Sequence, residues 1–209
     1  MTPTRVITAQ VSDTGLVNER RAHIAQAAAR VFRRKGFHNA TIRDIAVEAG
    51  LSQGSLYNYV RTKDDILYLV HQDMTAAYAR DVERALEDVT EPRARLHAAI
   101  AAFIHSMRER RADIALIYQE THALGEESRR AVLAQTQAFI QRFAQLIEEA
   151  RAAGMALPGA GPLAADIVTF LPVMLSLRAW RLRDIMPGDA AEAELVGFLM
   201  RGLGIQDGV

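Results

Sequence analysis

The sequence predicts an all-α chain: a three-helix N-terminal domain followed by a larger helical domain, about nine helices in total. Three observations predict this. No run sustains the two-residue alternation of a half-buried strand. Ala, Leu, Glu and Arg fill the 209 residues, half of which are hydrophobic. Apolar residues recur at helical spacing between segments punctuated by Gly and Pro.

In order along the chain, Met1–Val17 carries one Arg, one Asp and no apolar core segment, which excludes a signal peptide and reads as a flexible arm. Asn18 is a cap for a first helix with Ile24, Ala27, Ala28, Val31 and Phe32 on one face. Arg33, Arg34 and Lys35 crowd its last turn, and Gly36 supplies the stop. Thr41 and Asp44 have capping-box spacing and open a short helix to Ala49. Ser52 caps a third, to about Tyr59. A long helix is expected from Lys63 to Asp88, and Pro92 suits the first turn of one reaching Arg110. Helices at Asp113–Leu124 and Glu126–Ala153 come next, the second striped by Val132, Phe139, Phe143, Leu146 and Ala150. Past a Pro/Gly loop at 154–161, an apolar helix kinked at Pro172 runs to Arg183, and Ala190–Leu203 is the last.

The domains so drawn are an arm at 1–17, a small domain at 18–63 and a larger one at 64–209. Net charge is zero, but residues 1–63 hold ten Lys and Arg against four Asp and Glu, a balance of +6 that the remainder cancels. One basic part that meets a polyanion is the implication. The longest apolar stretch, Ile167–Leu177, has eleven residues, whereas a membrane span needs about 20, so no membrane is expected. The absence of cysteine excludes disulfides, thiolate zinc sites and cysteine nucleophiles, and suits a reducing cytosol.

The informative segment is Thr41–Lys63. Two helices crossing steeply over a short turn need small residues at the contact, supplied by Ala46 and Ala49, and a glycine at the reversal, Gly50. Ile42, Ile45, Leu51, Leu56 and Val60 form an inner wedge. That leaves Gln53, Gly54, Ser55, Tyr57, Asn58 and Tyr59 on the outer face of the second helix. Short polar groups, amides and phenols without a carboxylate suit a DNA major groove and its phosphate rims. The same spacing also serves an ordinary helical hairpin.

From Ile24 to Lys63 the chain resembles the DNA-binding helix-turn-helix domain of the TetR/AcrR family of bacterial regulators. The likeness rests on Phe32 with Gly36-Phe37, Thr41-Ile42-Arg43-Asp44-Ile45-Ala46, Ala49-Gly50, Ser55-Leu56-Tyr57-Asn58-Tyr59 and Lys63. Asn58 departs from the Tyr, His or Trp of many relatives. The resemblance implies phosphate contacts from Thr41, Ser52, Tyr57 and Lys63, and base contacts from Arg43, Gln53, Ser55 and Asn58. Tyr59 is as much a core residue as a contact, and Arg5 belongs to a tail read as disordered more readily than as an arm in a minor groove.

The resemblance further implies a cytoplasmic homodimer on operator DNA, joined through 163–183 and 190–203, with a small-molecule effector between the middle helices. An apolar acid or acyl-CoA thioester is the expected effector class. Candidate liners are Phe103, Met107, Tyr118, His122, Phe139, Phe143, Phe170, Met174 and Trp180, with Arg178 for an anionic group. Most of these at helical spacing are also core residues in any protein, and His122 is more often a satisfied structural histidine. No metal or cofactor is expected. An enzyme is disfavoured, because none of the six histidines has an acid three residues before it and no phosphate loop or nucleophile elbow is present. A DNA-binding protein without an effector remains the other alternative.

Overall fold

The computed structural model describes residues 5–10, 13–155 and 157–205, and every regular element among them is helical. The elements are α1 (Thr14–Lys35), α2 (Ile42–Glu48), α3 (Gln53–Tyr57), α4 (Lys63–Leu86), α5 (Pro92–Glu109) and α6 (Arg111–Glu120). Next come a 3₁₀ turn (Thr121–Ala123), α7 (Glu126–Ala152), α8 (Ala164–Phe170), α9 (Val173–Leu177), α10 (Ala179–Leu182) and α11 (Gly188–Gly202). No helix among these residues is long and apolar enough to cross a membrane.

The chain divides into two compact units, Met1–Ala76 with Ala115–Thr136, and Ala77–Ile114 with Gln137–Val209. The boundary expected at 63/64 is not where the contacts separate. Residues 64–76 cluster with the N-terminal segment, and 115–136 returns to pack with that same segment.

In the first unit α1 buries Ile24, Ala27, Ala28, Val31 and Phe32, the face that its spacing predicts. Ile45, Leu56 and Val60 are wholly enclosed with it. Removing each such side chain from water contributes about 1.5–3 kcal/mol. Phe32 meets Phe37 edge-on, with ring centroids 5.2 Å apart, just past Gly36, whose φ of 76° excludes most side chains.

Two sequence expectations are corrected here. α1 starts at Thr14, a turn before Asn18, because the Asp13 carboxylate accepts from the Leu16 N–H at 3.1 Å and Val17 is buried. The expected arm falls partly outside the described residues (1–4, 11 and 12), but its described part is packed rather than loose. Ile7 is buried, Arg21 donates to its carbonyl at 2.6 Å, and the Gln10 N–H donates to the Asn58 carbonyl at 2.9 Å.

α4 begins with a reciprocal cap. The Thr62 hydroxyl accepts from the Asp65 N–H at 3.0 Å, and Asp65 Oδ2 accepts from the N–H groups of Thr62 and Arg61 at 3.0 and 2.8 Å. Asp65 is 3% exposed, a charge that needs a partner. Arg5 provides it at 2.5 Å, bonds Asp64 at 2.9 Å with its other terminal nitrogen, and lies over the Tyr68 ring. Asp64 in turn accepts from Ser128 Oγ at 2.6 Å and the Gly125 N–H at 2.7 Å.

In the second unit α5 buries Leu96, Ile100, Phe103, Ile104 and Met107, and packs against α9 and α11. The α7 stripe is buried as expected, Val132 in the first unit and Phe139, Phe143, Leu146 and Ala150 in the second. Pro92 stands in the first turn of α5, whose open N–H groups at Arg93 and Ala94 are accepted by Glu91 at 2.9 and 2.6 Å. The single kinked helix expected over 163–183 is instead α8, α9 and α10. Pro172 has no N–H to continue α8, and Arg178 (φ −112°, ψ 20°) leaves helical geometry between α9 and α10.

His71, on α4, is 3% exposed, and its Nε2 has no hydrogen-bond partner among the described residues. Burial pushes this imidazole down to about 4. The unfolded chain therefore binds a proton that the folded one refuses. The associated stability is complete above the ordinary histidine pKa of about 6.5 and falls as pH drops toward 4. Urea midpoints measured from pH 7 to pH 5 should decline, with this site contributing up to about 1.4 kcal/mol per pH unit. The decline should be shallower in His71→Leu; an identical decline in that variant would show that another group causes it.

Candidate nucleic-acid interface

α2 and α3 are each fixed by a hydroxyl at the start. The Thr41 hydroxyl accepts from the Asp44 N–H at 3.1 Å while Asp44 Oδ2 accepts from the Thr41 N–H at 3.0 Å. Ser52 Oγ accepts from the Ser55 N–H at 3.0 Å. Between the helices the chain reverses at Gly50, φ 64°, with Ala46 and Ala49 buried beneath it. Of the inner wedge, Ile45, Leu56 and Val60 are fully buried, and Ile42 and Leu51 half-buried.

That packing turns the opposite surface outward. Arg43, Thr41, Ser52, Gln53, Gly54 and Tyr57 are exposed, and Ser55, Asn58 and Tyr59 half-buried. α3 ends at Tyr57, two residues short of the expected end. The Asn58 N–H bonds the Ser55 carbonyl and the Tyr59 N–H the Leu56 carbonyl, three residues back, which tightens and closes the last turn. Asn58 and Tyr59 therefore lie just past the helix, and the Tyr59 carbonyl is taken by Arg21 at 3.1 Å.

The acids nearest this surface are neutralised by α1. Glu48 lies between Arg30 at 2.7 Å and Arg34 at 3.0 Å, whose hydrogen bonds hold its carboxyl below the usual range. Lys35 at 2.7 Å, with the Thr41 bonds, does the same for Asp44. Such exposed pairs stabilise little. Their effect is on the field, since Arg43 and Arg61 are exposed and form no ion pair among the described residues. A cationic, carboxylate-poor surface of this kind attracts a polyanion.

Lys63, expected on a phosphate, is turned inward instead. Its Nζ donates to the carbonyls of Phe37, His38 and Ala40 at 2.8, 3.1 and 3.2 Å, which uses all three ammonium hydrogens, and it stands 4.5 Å from the Phe37 ring centre. Arg5 is likewise committed to Asp64 and Asp65 rather than held out for a minor groove. Nothing in the spacing of either cation signals this, because their partners are distant in sequence.

The expected effector residues separate into three groups. Phe103, Phe139 and Phe143 form one aromatic cluster with Tyr78 in the second unit, ring centroids 4.6 to 5.8 Å apart, and Met107 is buried on α5 beside Phe103. Met174 is half-buried on α9. Phe170 and Trp180, 62% and 66% exposed, and the exposed Arg178 stand on the surface of that unit rather than inside it. Tyr118 and His122 belong to the first unit. Two clefts of the second unit, about 310 and 720 Å³, are lined by other residues, among them Arg151 and Glu148 in the first and Asp81 and Arg110 in the second.

Residues 24–68 match the family of bacterial regulatory proteins described as the tetR family, and residues 89–169 match the tetracyclin repressor-like C-terminal domain. Together the two matches cover well over half of the chain. The chain belongs to the tetR family. It is 36% identical to the HTH-type transcriptional regulator HbdR of Aromatoleum sp. (strain CIB) over 119 residues, 57% of this chain. That match spans only 52% of HbdR. A tetR-family regulatory protein from Rhodococcus RHA1 superposes with a TM-score of 0.76 at 25% identity, covering 90% of this chain and 99% of that one. The fold is also that of AibR, a structure in complex with isovaleryl coenzyme A and operator DNA, with a TM-score of 0.70 at 17% identity over 86% of this chain and 97% of AibR.

In this tetR-family chain the three carbonyls under Lys63 all belong to the α1–α2 connection, so removing their donor loosens that turn. Lys63→Met should lower stability by about 2 kcal/mol, read from chemical denaturation. On DNA it should leave the salt dependence of binding unchanged. A salt slope shallower by one phosphate would return Lys63 to the backbone contacts.

Proposed function

We propose that this chain is a DNA-binding transcriptional repressor whose hold on its operator is loosened by a small apolar or acyl-type effector. The observation that carries the proposal is the α2–α3 surface, on which Arg43, Gln53, Ser55, Tyr57 and Asn58 face outward beside acids already paired by α1. Thr41, Ser52 and Tyr57 hold phosphates, and Gly54 lets the backbone come close. Arg43, Gln53, Ser55 and Asn58 meet base edges, each good pairing contributing about 1–3 kcal/mol of discrimination. Double-stranded DNA in the bacterial cytoplasm is the partner.

The working form is a homodimer. Leu163, just before α8, and Ile167, Phe170, Trp180 and Phe198 on α8 to α11 are each more than half exposed, an apolar surface that a second copy would cover. Two copies suit a palindromic operator with half-sites about 34–36 Å apart. For the effector, the cluster of Phe103, Phe139 and Phe143 supplies apolar lining, with the buried Met107 one helical turn from Phe103 as an adaptable neighbour. The acyl-CoA in the AibR complex supports an acyl thioester as the class to test first. A tenfold loss of DNA affinity needs only about 1.4 kcal/mol of preference for the released state.

DNA selected from random duplexes should contain an inverted repeat, and gel-shift titration should show it released by a member of a panel of acyl-CoA thioesters and free acids. Selection without any preferred sequence would refute the regulator, whereas tight binding unaffected by the whole panel would refute the effector class alone. Tyr57→Ala should weaken every duplex alike, while Asn58→Ala should change the order of preference among operators. Trp180→Glu should shift the protein to monomer in ultracentrifugation; an unchanged dimer would place the interface elsewhere.

A further inference from the structure

We propose that His38, Glu120 and His122 form a binding site for a divalent transition metal of the zinc type, which joins the α1–α2 connection to the 3₁₀ turn at Thr121–Ala123. All three residues belong to the first unit, and one donor atom from each lies within 4.8 Å of the others. His38 Nε2 is 3.6 Å from Glu120 Oε2, and the rings of His38 and His122 are 6.5 Å apart. Sequence spacing conceals the set, because its first ligand is far along the chain from the other two.

The backbone on both sides is held without the metal. The His38 carbonyl accepts from Lys63, and its ring meets Phe37 edge-on at 5.5 Å. Across from it, the Thr121 hydroxyl donates to the Ile117 carbonyl at 2.7 Å and the Leu124 N–H to the Thr121 carbonyl at 3.2 Å. Only the imidazoles need rotate. Tetrahedral bonds of about 2.1 Å separate ligand atoms by about 3.4 Å, and His38, 72% exposed, has the freedom to close that difference.

Glu120 supplies the second argument. Its Oε2 is buried with no hydrogen-bond partner among the described residues, and the side chain is 15% exposed. An enclosed carboxylate oxygen without a donor favours a cation beside it. Two imidazole nitrogens and one carboxylate oxygen select against calcium and magnesium, which take oxygen ligands, and suit zinc with water in the fourth position. The alternative occupant is the proton of a His38–Glu120 ion pair.

The test uses the full chain, stripped of metal with chelator and titrated with Co²⁺ as the visible probe. One equivalent should produce the absorption of four-coordinate cobalt, and Zn²⁺ should bleach it and raise the melting temperature. His38→Ala, Glu120→Gln and His122→Ala should each weaken cobalt binding at least about tenfold. His97→Ala and His105→Ala should not change it. Cobalt spectra no different from the aquo ion, or a titration unaltered in the exposed-residue variant His38→Ala, would overturn the proposal in favour of the ion pair. None of these readouts involves DNA, so the site stands or falls separately from the regulatory function proposed above.

Discussion

The architecture of the first unit depends on one buried carboxylate. Asp65 has almost no contact with solvent, and a charge in that position is tolerated only when its oxygens are saturated. Its donors come from three places: the Arg61 and Thr62 backbone, which it caps, and the Arg5 guanidinium. One group thereby determines where α4 begins and brings the N-terminal segment across it. Arg5 extends the arrangement through Asp64 to Ser128 and Gly125, so that 5, 61–65 and 125–128 share one hydrogen-bonded cluster. Replacing either charge alone would strand the other, a loss far larger than any surface ion pair represents.

A second principle runs through the same unit: cations are assigned to specific tasks. Arg30, Arg34 and Lys35 cancel the acids of α2, Lys63 closes the connection that precedes α2, and Arg21 gathers the carbonyls of Ile7 and Tyr59. Burial lowers the pKa of Arg21, yet both of its bonds are to neutral oxygens, so it serves as a brace rather than an ion-pair partner. Arg43 and Arg61 are left facing solvent. The positive balance read from residues 1–63 is lowered from outside that segment, because Arg5 is paired with Asp64 and Asp65.

Local features were legible in the sequence. Helical faces, the Thr41–Asp44 box and the stops at Gly36 and Gly50 each depend on residues within a few positions of one another, where periodicity and backbone preference act directly. Features set by distant partners were not. Lys63 looks the same in sequence whether it faces a phosphate or three carbonyls, and the N-terminal segment looks loose until Asp64 and Asp65 are placed beside Arg5. Asp13 and Asn18 are rival caps about one turn apart, and burial of Val17 favours the earlier. The apolar run after Leu163 carried a kink signal at Pro172, but not the second break at Arg178, where no residue type announces it.

That segmented C-terminal region carries Trp180, the chain's one tryptophan, 66% exposed on the four-residue α10. Indole emission tracks the polarity around the ring, so the tryptophan fluorescence of this protein comes from a single spot, one that faces solvent in the lone chain. Any event that dehydrates the spot will shift its colour toward the blue. The molecule thus contains its own unlabelled optical gauge of what touches that surface.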